Sequence, residues 1–232
     1  MARTVKPEEF ALKRSEILDA AQQLVLTKGF QQMSIRDILD ELQISSGAFH
    51  HYFSSRGALL NALIERIQGA VAAQMLPLIN DPRLTALQKL QGFFDTLDQL
   101  RRAQQATIAT VAPVWYTDDN AVVRLRVQEA VVKQRAPLLV EIVQQGLREG
   151  VFTTAHPDQV GEVLLALLQA MGDTHARLLL AYMQDRDAPR CIDGIVTTHA
   201  AYMDAVERVL GAPAQSLYRA DAAGVKMWLA VL

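Results

Sequence analysis

The residues best placed for chemistry lie between Ser34 and Arg56, in MSIRDILDELQISSGAFHHYFSSR once Met33 is included. Ser34 and Ser45 each precede a short run of helical apolar spacing, where a hydroxyl can cap a helix. Asp37 completes a capping-box pattern with Ser34, with Asp where Glu or Gln is usual. Capping hydroxyls, free amides at helix starts and Arg or His donors are groups that hold phosphate oxygens and base edges. They do not make or break covalent bonds. Ile35, Ile38, Leu39 and Leu42 share one face of the first helix. Gln43-Ile44 interrupts the pattern, and Phe49 and Phe53 lie on one side of a second helix, 46–53. Ser46, Gly47, Ala48, His50, His51 and Tyr52 surround the rest of it. A short helix with a small, polar start and one apolar face suits the DNA major groove. The spacing predicts a helix-turn-helix.

Other chemistries find no support in the pattern. The histidines at 50, 51, 156, 175 and 199 show no pair at i, i+3 or i, i+4, and Cys191 has no partner at ligand spacing. No metal site and no cofactor are expected. There is no nucleophile elbow, glycine-rich phosphate loop or His-Glu metal helix, so no catalytic residue is assigned and the chain reads as a non-enzyme. Asp173 and His175 stand two apart on a helix, where side chains diverge.

The elements that position these groups follow from composition and period. The chain has 232 residues, 50% hydrophobic and 21% charged, enough for a well-filled core. Its net charge is −2. In 1–56, Arg3, Lys6, Lys13, Arg14, Lys28, Arg36 and Arg56 balance Glu8, Glu9, Glu16, Asp19, Asp37, Asp40 and Glu41. Grip on phosphates must therefore come from placed groups and not from bulk charge. A single cysteine, no signal-like start, and apolar runs at Val163–Ala170 and Leu178–Met183 shorter than the ~20 residues of a membrane span suggest a soluble, cytoplasmic chain.

Helical spacing dominates throughout, and no alternating strand is found. Helices are expected over 8–28, stopped by Gly29, then over the two motif helices, then over about 56–79. Asp81-Pro82 is expected to open the next, to about Arg101. A shorter one covers about 103–111, ending before Pro113. A long one runs from 118–120 to about Glu149, with a kink or break expected at Pro137. Pro157 should open a helix to Gln184; 192–210 and a short helix within 216–232 complete an all-α fold of nine or ten helices.

ILDAAQQLVLTKGF (17–30), MSIRDILDEL (33–42), SSGAFHHYF (45–53) and SSRGALL (54–60), in that order, resemble the TetR/AcrR family of bacterial transcriptional regulators. Leu39 stands where that family prefers Ala, Gln43 where Gly usually turns the chain, His50 where a phosphate-contacting Tyr is typical, and Arg56 where Lys is common. The resemblance implies two domains, a helix-turn-helix DNA-binding domain over 1–56 and a ligand-binding and dimerisation domain over 57–232.

It further implies DNA contacts from Ser34, Arg36, Ser45, Ser46, Gly47, Ala48, His50, His51, Tyr52 and Arg56. A pocket would be lined by Met75, Phe93, Phe94, Leu97, Trp115, Tyr116, Met171 and His175, which suits a small hydrophobic or aromatic effector. A four-helix dimer interface would draw on Gly161, Leu165, Leu168, Gly172, Ala176 and Leu179 of one helix and Ile195, Thr198, Tyr202, Ala205 and Val209 of the next. The expected function is a homodimeric repressor on a pseudo-palindromic operator in double-stranded DNA, released by its effector. The alternatives are a regulator of the same fold with no small-molecule ligand, and a helical enzyme or lipid carrier. Turnover without DNA binding would mark the last.

Overall fold

The computed structural model describes residues 7–230; Arg3 and Lys6 of the charge tally, and the extreme ends of 1–56 and 216–232, lie outside them. The described residues form ten α-helices and no strand. They are α1 (Pro7–Lys28), α2 (Ile35–Leu42), α3 (Ser46–Tyr52), α4 (Arg56–Ile79), α5 (Ala86–Ala103), α6 (Gln105–Trp115), α7 (Ala121–Glu149), α8 (Val160–Asp185), α9 (Ala188–Leu210) and α10 (Ala222–Leu229). A 3-10 turn, Asp118–Asn120, leads into α7.

Two compact units divide the chain differently from the expected 1–56 and 57–232. One comprises 1–70 with 114–130, and the other 71–113 with 131–232. The division falls inside α4 because Leu59 and Leu63 belong to the N-terminal core while Met75 and Ile79 belong to the other.

The first unit is built on Ile17, Leu18, Ala21, Met33, Ile38, Phe49, Phe53, Leu59 and Leu63, all buried together. Acidic Glu8 and Glu9 and basic Lys28 sit at the ends of α1 that favour their charges. Gly29, at φ +78°, ends it. Arg66 ties α4 to α1 through Asp19 at 2.7 Å and Gln22 at 2.7 Å. A smaller cluster of Leu60, Ile64, Val123 and Ala130, flanked by Phe30, Trp115 and Val127, joins 114–130 to α4.

In the second unit α8 and α9 lie against each other, and a core of Phe93, Leu90, Leu139, Val143, Leu164 and Met203 fills the space among the helices. α8 is long and apolar enough to cross a membrane by length and composition, although only a small share of it is buried. It nonetheless carries Glu162, Asp173, His175 and Arg177 along its length.

Helix limits differ from the sequence expectation at four prolines, and α9 begins at Ala188 and not at 192. Asp81 does not cap α5, because its carboxylate is taken by the Arg83 guanidinium and amide. Thr85 and Gln88 form the capping box instead. Pro113 lies inside α6, which continues to Trp115. Pro137 does not split α7, which runs unbroken while Ala136, Leu139, Ile142 and Val143 bury their side chains. That burial outweighs the ~3 kcal/mol penalty of an internal proline. Pro157 leads only to a turn, and α8 begins at Val160.

Past α9 the chain turns at Gly211 and returns over 212–221, where a polar cluster holds it. The buried Glu207 carboxylate accepts from the amides of Gln215 and Leu217, each at 2.9 Å, and from Arg219 at 2.8 and 2.9 Å. Burial works against ionising Glu207, but the Arg219 guanidinium and the two amides outweigh it and hold the carboxyl below its ordinary value.

A second, half-buried feature escapes any reading of sequence spacing. His175 on α8 and His199 on α9 stack at 6.1 Å between ring centroids, with planes 10° apart. Tyr218 meets His199 edge-on, and the Ala220 amide donates to His199 Nδ1 at 3.3 Å. Burial, then the neighbouring imidazole and Arg101, lower His175 to about 4. Burial, then Arg101 and Arg219, lower His199 to about 4, against the opposing charge of Asp98. Because both folded values lie below 6.5, the unfolded chain takes up protons first as pH falls. Stability is therefore unaffected by the pair above pH ~6.5 and drains away between there and pH ~4. At pH 5 the cost is on the order of 1 kcal/mol per ring, reduced by partial solvent exposure. Thermal melts should show the acid loss shrink when both rings are changed to Asn; an unchanged loss removes the pair as its cause.

Candidate nucleic-acid interface

The α2-turn-α3 unit is fixed at three points. At its start, Ser34 Oγ accepts from the Asp37 amide at 3.1 Å, and the Ser34 amide donates to Asp37 at 2.7 Å. Lys28 adds an ion pair to Asp37 at 2.8 Å. The Lys28 ammonium first, then the Ser34 backbone and hydroxyl, hold the Asp37 carboxyl far below the usual range. A capping box using Asp therefore forms as the sequence suggests.

At the turn, Gln43 adopts φ 50°, ψ 45°, the left-handed conformation that glycine takes without penalty. Its side-chain amide donates to the Asp40 carbonyl, and the Ile44 amide reaches back to Leu39. Leu39 packs partly buried against the N-terminal core, so the larger residue is absorbed without loss of the motif. Relief of the left-handed strain, less the added freedom of the unfolded chain, should make Gln43→Gly more stable by about 0.5–1 kcal/mol. Chemical denaturation measures this, and a lower midpoint would show that the Gln43 side chain matters more than its backbone.

At the second helix, Ser45 Oγ accepts from the Ala48 amide at 3.1 Å, and Phe49 and Phe53 enter the core. This leaves Ser46, Gly47, His50 and His51 exposed on α3, with Ala48 and Tyr52 half-buried beside them. Phe10 on α1 supports the end of α3, at 4.8 Å from Tyr52 and 5.4 Å edge-on to His51. No feature of the sequence pattern singles out Phe10, because its partners lie far along the chain. α3 carries no acidic residue. Arg36 on α2 is almost fully exposed and makes only a loose pair with Asp40 at 3.9 Å. The outcome is a rigid ledge bearing hydroxyls, imidazoles and one extended guanidinium.

Arg56 does not join that ledge. Its guanidinium lies over the Phe30 ring at 4.1 Å and donates to the Phe30 and Gln31 carbonyls. An arginine committed to backbone acceptors and a ring is drawn inward, which spacing cannot reveal.

The expected pocket residues divide between the units. Met75, Phe93 and Met171 are buried in the large core of the second unit, with Phe94 and Leu97 packed on it, and His175 stacks on His199. Trp115 instead packs with Leu60, Ile64 and Val123 in the first unit, and Tyr116 lies under the Arg124 guanidinium at 5.7 Å. The continuation of α6 past Pro113 places them there.

The expected dimer stripe largely faces inward. A Cβ on Gly161 would lie 2.4 Å from the Ala136 carbonyl, so this glycine lets α8 approach α7 within one chain. Leu165, Leu168, Tyr202 and Val209 belong to the large core, and Leu179 and Ile195 to the cluster around Cys191. Ala176, Thr198 and Ala205 are half-buried, whereas Gly172 is open.

Among the described residues, an all-helical fold with a capped helix-turn-helix and an exposed second helix matches the architecture of DNA-binding regulators. Residues 17–63 match the model of bacterial regulatory proteins of the tetR family. The transcriptional repressor KstR2 of Mycobacterium tuberculosis is 24% identical over 144 residues, 60% of this chain and 69% of that one. Among solved structures, a TetR-family repressor from Thermus thermophilus, FadR, in complex with lauroyl-CoA, matches at TM-score 0.52 and 16% identity over 82% of this chain and 93% of that one. RolR in complex with resorcinol matches at TM-score 0.53 and 16% identity over 97% of this chain and 96% of that one. KstR2 and FadR are both described as transcriptional repressors.

Proposed function

We propose that the chain is a cytoplasmic, homodimeric repressor that binds a pseudo-palindromic operator and is released by a small hydrophobic or aromatic effector. The observation that carries this reading is the α3 face, held by the Ser34 and Ser45 caps and exposing Ser46, Gly47, His50 and His51. Two such helices on a two-fold axis would enter successive major grooves about 34–36 Å apart. Ser34 and Ser45 stand at helix starts that favour phosphate, and Arg36 reaches toward the backbone or a base edge.

The dimer is assigned to the outward faces of α8 and α9, since the inward stripe is already used. On α8 that face carries exposed Val163, Ala166 and Ala170, apolar surface that a second copy would cover. The effector is assigned to the second unit. The apolar lining there of Met75, Phe93, Phe94, Leu97 and Met171, with His175 as a polar group, suits an apolar ligand, and the two structural relatives are complexes with lauroyl-CoA and with resorcinol. Selecting bound sequences from random DNA with the purified chain tests the reading. Recovery of an inverted repeat is expected, and recovery of no enriched sequence would overturn it.

A further inference from the structure

A cleft of about 260 Å³ in the first unit is lined by Phe30, Arg56, Leu60, Val123 and Arg126, among others, and no carboxylate lines it. One wall is apolar. Two guanidiniums supply the other, which is unusual for a cavity with nothing anionic to face them. Arg126 is held in place through one nitrogen, Nη1, which donates to Asn61 at 2.9 Å and weakly to the Gly57 carbonyl. Arg56 is held through Nη2, by the Phe30 and Gln31 carbonyls. Its Nε is buried with no hydrogen-bond partner. A buried donor left unsatisfied carries a desolvation cost, and such groups are normally met by water or a ligand. Both arginines are thus positioned by other groups, with donor capacity left over.

We propose that this cleft binds a small monocarboxylate with a short apolar body, its carboxylate between Arg56 and Arg126 and its body against Phe30, Leu60 and Val123. The volume sets the size, since drug-sized ligands fill about 300–1,000 Å³ and this cleft is smaller. Planar guanidiniums match a planar carboxylate in a way that one ammonium would not. The site is distinct from the effector region assigned to the second unit. It lies beside the start of α4, in the unit that carries α2 and α3, so its occupancy would act on the reader directly.

Benzoate and its neutral analogue benzyl alcohol are the probes, titrated into the full chain and followed by amide NMR without DNA. Saturable millimolar shifts at Phe30, Gly57 and Val123 with benzoate only are expected. Arg126→Met should weaken the binding about tenfold or more, the loss of one charge-assisted contact. Arg126→Lys keeps the charge without the fork and should bind between the two. Equal shifts with both probes, no saturable shift with benzoate, or unchanged affinity in Arg126→Met would overturn the proposal. Should Arg126→Met fail to fold, the comparison of the two probes on the unaltered chain decides alone. Because DNA is absent, failure here leaves the operator reading untouched, and failure of operator selection leaves this one untouched.

Discussion

Arg36→Ala and His51→Ala should each abolish operator binding while leaving the fold intact. A lost contact to a base edge or phosphate costs about 1–3 kcal/mol, and a symmetric dimer loses it twice. The sum, about 2–6 kcal/mol, lowers affinity by roughly 30-fold to 10⁴-fold. Folding should barely notice, because Arg36 is nearly fully exposed and its only ion pair among the described residues is the loose one to Asp40. His51 gives up edge contacts with Phe10 and Tyr52 and nothing buried. The two substitutions should also differ in kind. If Arg36 holds phosphate, its loss flattens the dependence of affinity on salt. If His51 reads a base, its loss relaxes sequence preference at one position of each half-site. Gel shifts across a salt series, with melting curves as a control for folding, make the test. Unchanged operator affinity in both variants removes these residues from the interface.

Glu207→Ala should be the most damaging single change to stability among the groups described, at about 3–5 kcal/mol. It withdraws an acceptor from two amides and a guanidinium at once, and the Leu217 amide is buried. The return segment 212–221 would lose its main attachment to α9, although Asp204 still holds Arg219 at 2.6 Å. Glu207→Gln keeps an acceptor and should cost less. The pH sign follows from a folded carboxyl held below its ordinary 4.5: its contribution is complete above that value and is lost as pH falls through the lower folded one. This acid window opens lower than the one set by the two histidines. Denaturant unfolding at neutral pH measures the main effect, and a loss under about 1 kcal/mol would show that the cluster is dispensable.

Local chemistry was legible wherever a residue acts on its near neighbours. Ser34 with Asp37 and Ser45 with Ala48 cap their helices as the spacing suggests, and Phe49 with Phe53 turns inward. Capping depends on groups three residues apart, and amphipathic faces on a 3.6-residue period, so both can be read along the chain. The left-handed Gln43 was legible as a position where glycine would be easier. Proline was a less dependable guide. At Pro113 and Pro137 the helix continues, because the local cost of a proline competes with burial that is decided elsewhere.

What the sequence by itself determined is the class of fold and the reader: nine or ten helices' worth of apolar periodicity, and a capped pair of short helices with one polar face. The tertiary structure alone decided which side chains meet. It stacked His175 on His199, drew Arg56 onto Phe30 and beside Arg126, set Phe10 behind His51, and used Gly161 to seat α8 on α7. The physical reason is the same in each case. A helical period fixes which face is apolar, but not which of several apolar faces it will cover, and that choice belongs to the packing of the whole chain.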